Sequence, residues 1–299
     1  MSLTAKLLLS PLLMAQALST RLRAPRLPEA AGERHGAVGE GPLLRLLITG
    51  DSSAAGVGVA TQREALASRI ARELATRAGV RVEWRLLARS GLTSAQTLHL
   101  VQGENLPFFD VAVVVTGVND VVDQVPTHRA VSARESLANW LRNGLGVVHV
   151  VFAPLPPVHL FPGLPQPLRW VSGADARRHD RALEAWARTR GDVSRVVIDL
   201  PLARDVMAHD GFHPGAPVYR HTAHAIALHI ARDVWPALHP ETPHDPQPAR
   251  QDPVHHRREP GHRPGDRPPR SGRRRQRGAG GQDDRAQPQA ARHAAQRRG

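Results

Sequence analysis

The segment Val111-Ala-Val-Val-Val-Thr116 has no charged side chain and a single polar one, at its end. A half-exposed strand alternates apolar and polar residues. An unbroken β-branched run instead implies burial on both faces, as in an inner strand of a parallel sheet covered by helices. Four more strands are predicted at residues 43–49, 80–88, 147–153 and 193–200. Between them apolar residues recur at helical spacing. Leu66, Ile70 and Leu74 predict a helix over 61–77, with Gly79 as its C-cap. Leu137, Trp140 and Leu141 mark a helix that stops near Gly144, and further helices are predicted over 174–189 and 217–234. The last carries Ala223, Ile226, Ile230 and Val234 on one face. Alternating strands and helices at this spacing predict an α/β fold, with a parallel five-stranded sheet between two helical layers.

The 299 residues allow one or two domains. The absence of cysteine excludes a disulfide scaffold, a thiolate zinc site and a cysteine nucleophile. The net charge of +13 is uneven. Residues 241–299 hold 14 Arg against 7 acidic residues, whereas the first 240 hold 26 basic and 20 acidic ones. The tail is rich in Pro, Gly, Arg and Gln and almost free of large apolar residues, so burial cannot offset the entropy of ordering it. Residues 239–299 are therefore predicted to be disordered. Arg273, Arg274 and Arg275 read either as the lead of an arm for nucleic acid or an anionic surface or, as the composition favours, as part of a solvated extension. No aromatic residue interleaves with these arginines to stack on bases, so nucleic acid is not the expected partner. At the other end, Lys6, a short apolar stretch and Ala15-Gln16-Ala17 resemble a signal peptide. Pro11 interrupts that stretch, and Arg21, Arg23 and Arg26 follow it, which favours retention on the cytoplasmic side. Residues 1–20 thus read as a signal or a membrane anchor. The location stays open between membrane-associated or cytoplasmic and exported. No apolar run reaches the ~18 residues of a membrane span. Residues 21–42, rich in Pro, Gly and Glu, read as a linker, and 43–238 as the folded domain.

Ligands of such sheets bind beyond the carboxyl ends of the strands, and four polar segments belong there. The first is Gly50-Asp51-Ser52-Ser53-Ala54-Ala55-Gly56. A tight turn between strand and helix can hold a serine out of the sheet, and a base must take its proton before it attacks. The same segment could be an ordinary turn with Ser52 or Ser53 as N-cap. The second is Arg89-Ser90-Gly91-Leu92-Thr93, where glycine lets a backbone N–H approach a developing oxyanion. The third, Thr116-Gly117-Val118-Asn119-Asp120, offers the uncharged amide donor of Asn119, or simply a capped turn. The fourth is Asp210-Gly211-Phe212-His213-Pro214, in which a carboxylate three residues before a histidine can orient the imidazole. His209 with His213, and His221 with His224, have spacings that would also suit a metal, but no His-Glu-x-x-His pattern accompanies them. The Pro-rich stretch 154–170 reads either as a flap lining an acyl pocket with Phe161, Leu164 and Trp170, or as a surface excursion packed by its own aromatics.

Taken in order, the four segments resemble the motif blocks of the SGNH/GDSL hydrolases, over about residues 43–235. The resemblance implies a three-layer α/β/α sandwich with a flavodoxin-like sheet. It implies Ser52 as nucleophile, His213 as base and Asp210 as its orienter, with Ser52 N–H, Gly91 N–H and the Asn119 side chain as the oxyanion hole. The usual Gly-Asp-Ser-Leu reads Gly-Asp-Ser-Ser here. The implied activity is hydrolysis of small or medium acyl esters, lipid-derived ones included, without cofactor or metal. The N-terminal segment would supply any membrane contact. Two alternatives accompany it: an acyltransferase or carbohydrate deacetylase using the same residues, and a non-catalytic protein that binds polyanions or membranes through its basic tail.

Overall fold

The computed structural model describes residues 3–199 and 205–239; beyond His239, the tail predicted to be disordered lies outside the described residues. In chain order the elements are α1 (Leu3–Arg23), β1 (His35–Val38), β2 (Leu43–Gly50), α2 (Ser52–Ala55), α3 (Leu66–Ala78) and β3 (Arg81–Ala88). Then come α4 (Ser94–Gln102), β4 (Val111–Val115), α5 (Val118–Val122), α6 (Thr127–Leu145), β5 (His149–Phe152) and α7 (Leu168–Ala187). β6 (Val193–Arg195), α8 (Ala216–His229) and α9 (Trp235–Leu238) follow, the last two joined by a π-helical turn, Ile230–Val234.

The sheet order is β1-β3-β2-β4-β5-β6. The five strands β2 to β6 run parallel, in the expected flavodoxin-like arrangement. The sheet nevertheless has six strands, not five. The extra one, β1, pairs antiparallel with β3, from His35 opposite Arg85 to Val38 opposite Val82. It falls inside the 21–42 stretch read as a linker. Its sequence, His-Gly-Ala-Val, is too short to show alternation, and only the exposed edge of β3 makes it a strand. At the far edge the strand predicted over 193–200 shrinks to Val193–Arg195. The helices α4 and α5, nine and five residues long, were too short to show a pattern.

Alternation along the central strands divides the interior in two. Leu44, Leu46 and Ile48 of β2, Val111 and Val113 of β4, and Val151 of β5 pack with α3 and α8. Leu47, Ala112, Val114, Val150 and Phe152 point the other way, into a core with α6 and α7. Both faces of β4 are therefore covered, as its β-branched run required. α1 contacts α7, where the Gln16 side chain donates to the Gln166 carbonyl (2.7 Å) and accepts from Leu168 N–H (3.1 Å). Among the described residues no helix is long and apolar enough to cross a membrane.

The pattern can be tested within one strand. Leu46 is fully buried and Arg45 beside it is exposed. Leu46→Ala is expected to cost about 2–5 kcal/mol, and Arg45→Ala less than about 0.5 kcal/mol, read as a shift of the urea midpoint at constant slope.

Candidate active site

Three of the four polar segments meet because β2 lies between β3 and β4. Gly50, the last residue of β2, is in register with Ala88 on one side and Val115 on the other. Just beyond, Asp51 N–H donates to the Val115 carbonyl (3.0 Å) and Arg89 N–H to the Gly50 carbonyl (3.2 Å). Gly50 has φ +149°, and a Cβ there would run into the Val115 carbonyl, so glycine is required for the approach. The turn then enters α2, with Asp51 as N-cap accepting Ser53 N–H at 2.9 Å. Ser52 is the first residue of that short helix, so its N–H has no partner within the helix. Asp51 is buried, and burial pushes its carboxyl up to about 7, against the pull of Ser53 N–H and His213.

The fourth segment reaches the same point from the other end of the chain. His213 Nε2 lies 3.1 Å from Ser52 Oγ, and its Nδ1 lies 2.6 Å from Asp210 Oδ2. Asp210 Oδ1 accepts the backbone N–H groups of Phe212 (2.9 Å) and His213 (3.0 Å). Burial alone would raise the Asp210 carboxyl, but the His213 side chain and these two N–H groups outweigh it and hold the group at about 2. The carboxylate is almost fully buried and the imidazole is 29% exposed. Neighbouring elements fix the segment. Tyr219 of α8 donates its hydroxyl to the Val57 carbonyl (2.7 Å), and Gly163 N–H donates to the Gly211 carbonyl (3.1 Å). That second bond assigns the Pro-rich stretch a place. Phe161 is buried in the core under α6 and α7, Leu164 packs against that core, and Trp170 is exposed.

Gly91 and Asn119 follow β3 and β4. Gly91 has φ +85° and open space where a Cβ would stand. Asn119 donates one side-chain N–H to the Leu92 carbonyl (3.0 Å), which ties the two loops together. Beneath them is a buried ion pair. Asp120 accepts Arg134 Nη2–H at 3.0 Å, with both side chains essentially inaccessible. It also accepts Ser94 N–H (3.0 Å) and Ser94 Oγ–H (2.6 Å) at the start of α4. Burial lowers the Arg134 guanidinium from its ordinary value, and Asp120 opposes that shift. The structure thus joins Ser52, His213 and Asp210 directly, and links the Gly91 and Asn119 loops at their shared rim. One histidine of each candidate metal pair is otherwise engaged: His213 as above, and His224 with Arg77 (2.9 Å) and Glu73 (3.4 Å).

One contributor went unseen in the sequence. Glu29 Oε1 accepts both Ser90 N–H (2.7 Å) and Ser90 Oγ–H (2.8 Å), one residue before Gly91. Its other oxygen pairs with Arg34, which also donates to the Ala88 carbonyl at 2.8 Å. A carboxylate in a Pro- and Gly-rich stretch carries no periodic signal that could have revealed it.

The family model for the GDSL-like lipase/acylhydrolase family matches residues 48–221, a span that holds Ser52, Gly91, Asn119, Asp210 and His213 but not Glu29. The chain belongs to the GDSL-like lipase/acylhydrolase family. It is an ester-hydrolysing enzyme. The GDSL-like esterase Rv1075c of Mycobacterium tuberculosis is 29% identical over 269 residues, covering 82% of this chain and 85% of that one. Among solved structures, a family 3 carbohydrate esterase from Clostridium thermocellum matches with TM-score 0.50 and 17% identity, over 66% of this chain and 98% of its own. A family two carbohydrate esterase from the same organism matches with TM-score 0.50 and 15% identity, over 66% of each chain. At these identities the two structures share the fold with this GDSL-family hydrolase.

Two buried carboxyls provide tests. Asp120→Ala leaves Arg134 charged and unpaired in the interior, and the loss is expected to reach about 3–5 kcal/mol in chemical denaturation. Asp51 has the opposite character. Its folded form keeps the proton up to about pH 7, whereas the ordinary carboxyl releases it near 3.8. The stability this confers is complete below about pH 4 and is lost as pH rises through about 7. Asp51→Asn removes that decline. Relative to the natural chain, the variant is expected to gain up to roughly 4 kcal/mol between pH 4 and 8, seen in unfolding midpoints across the pH series.

Proposed function

We propose that this hydrolase cleaves carboxylic (acyl) esters with Ser52 as nucleophile, His213 as general base and acid, and Asp210 as the carboxylate that orients the imidazole. The continuous path from Asp210 Oδ2 through His213 to Ser52 Oγ, at 2.6 and 3.1 Å, carries this reading. The short contact to an ionised Asp210 favours the tautomer with hydrogen on Nδ1, which leaves Nε2 free to accept the Ser52 proton. Ser52 Oγ then attacks the ester carbonyl. The oxyanion is held by Ser52 N–H, Gly91 N–H and the Asn119 N–H not used by Leu92. His213 returns the proton to the leaving alcohol. Water activated by the same imidazole next attacks the acyl-enzyme, and the acid departs.

Glu29 and the Asp120–Arg134 pair act on this site by holding the Ser90–Gly91 and Asn119 loops in place. Small and medium acyl esters, including lipid-derived ones, fit the reading. The exposed Leu8, Leu12, Met14, Leu18 and Leu22 of α1 support a contact with lipid surfaces through that helix.

Hydrolysis of a short p-nitrophenyl ester by the full chain tests the assignment. Ser52→Ala is expected to abolish turnover, and a variant as active as the natural chain would remove Ser52 from the mechanism. Asn119→Ala should lower kcat by about 10²–10³ with little change in KM, because its bond strengthens as charge builds on the oxygen.

A further inference from the structure

A groove of about 590 Å³ runs along the packed faces of α3 and α8, and it is lined mainly by arginine: Arg63, Arg69, Arg72, Arg77 and Arg220. Two acidic residues also line it, and both are engaged. Glu73 pairs with Arg77 (3.0 Å) and His224 (3.4 Å), and Glu64 accepts the Thr61 hydroxyl (3.1 Å). Among the described residues Arg63, Arg69, Arg72 and Arg220 have no carboxylate within ion-pairing distance. Several guanidiniums elsewhere on the surface are met by carboxylates, as in Arg190–Asp192, Arg195–Asp180 and Arg188–Glu184.

Nor are the groove arginines loose. Arg69 Nε–H donates to the Glu64 carbonyl (2.6 Å) and Arg72 Nη2–H to the Arg63 carbonyl (2.5 Å), so the two half-buried guanidiniums form a set floor. Arg63 and Arg220 are exposed beside them. Burial, and then the like charges of Arg69 and Arg63, pull the Arg72 guanidinium below its ordinary value. Fixed like charges crowded in a concavity repel one another, and a polyanion in the groove would relieve that repulsion. Planar guanidinium forks match the paired oxygens of phosphate in particular.

We propose that the α3–α8 groove is a binding site for a phosphate-bearing ligand, separate from the ester-cleaving centre. The source is either a soluble phosphorylated molecule or the headgroup of a phospholipid, and both present the same oxygens to the same forks.

Calorimetric titration of the full chain with pyrophosphate, and co-sedimentation with phosphatidylcholine vesicles with and without phosphatidate, test this and tell the sources apart. Residues 241–299 hold 14 further arginines, so the comparison is between variants that share the same tail. Saturable binding of at least one probe is expected. It should weaken about tenfold or more, roughly 1.4 kcal/mol, in Arg72→Gln with Arg220→Gln. It should be unchanged in Arg177→Gln with Arg181→Gln on α7. Ester hydrolysis should persist in both variants and reports that they fold. If the Arg72 change disrupts α3, the exposed Arg220→Gln alone carries the comparison. Groove variants that bind as tightly as the natural chain, or no saturable binding of either probe, would overturn the proposal.

Discussion

The last residue of β2 is bonded on both sides at once, and the site depends on that junction. Gly50 lies level with Ala88 and Val115, and one hydrogen bond on each side carries the pairing past the strand ends. The turns after β2, β3 and β4 therefore open at one rim, and Ser52, Gly91 and Asn119 each stand within a few residues of it. A side chain at position 50 would collide with the Val115 carbonyl and push those turns apart. The parallel arrangement makes this convergence possible, because an antiparallel neighbour would send its following turn to the opposite edge.

Two carboxyls lie near the imidazole of His213, and their surroundings give them opposite characters. Asp210 accepts two backbone N–H groups and the imidazole, so it stays ionised to about pH 2 although it is buried. Asp51 accepts one backbone N–H, and burial drives it to about 7. The number of donors aimed at each carboxyl decides which one can hold the imidazole in place and support positive charge on it. Asp51 serves the turn instead, as the cap of α2. Beneath the Asn119 loop the Asp120–Arg134 pair does for the scaffold what Asp210 does for the histidine. Its charge is held by Ser94 and Arg134, and it keeps α4, α5 and α6 in fixed relation below the rim.

The segment before β2 belongs to this machinery. It adds β1 to the sheet edge, and just past Ser52 the Ala30 N–H donates to the Ala55 carbonyl, Ala31 N–H to the Ala60 carbonyl and Gln62 N–H to the Ala31 carbonyl. Glu29 reaches Ser90, and Arg34 reaches Ala88, so a stretch without any periodic pattern braces the Gly91 turn from outside. Its composition resembled a linker because its contacts are made by single polar groups to backbone atoms, and such contacts leave no repeating signature along the chain.

Local chemistry along the chain was enough for the five parallel strands, the two helical layers and the four polar segments beside them. The unbroken run 111–116 demanded burial on two faces, the Leu66, Ile70 and Leu74 spacing demanded a helix, and Ser52, Gly91, Asn119, Asp210 and His213 were singled out only when the four turns that hold them were taken together, in order, as resembling one family. The burial and the helix follow from a residue and its near neighbours. Tertiary structure alone decided that His213 stands 3.1 Å from a serine 161 residues away, that Asp210 rather than Asp51 faces its other nitrogen, that Glu29 braces Ser90, and that a sixth strand closes the sheet edge. These outcomes depend on distances between segments far apart in sequence. Packing sets such distances, and no local periodicity encodes them.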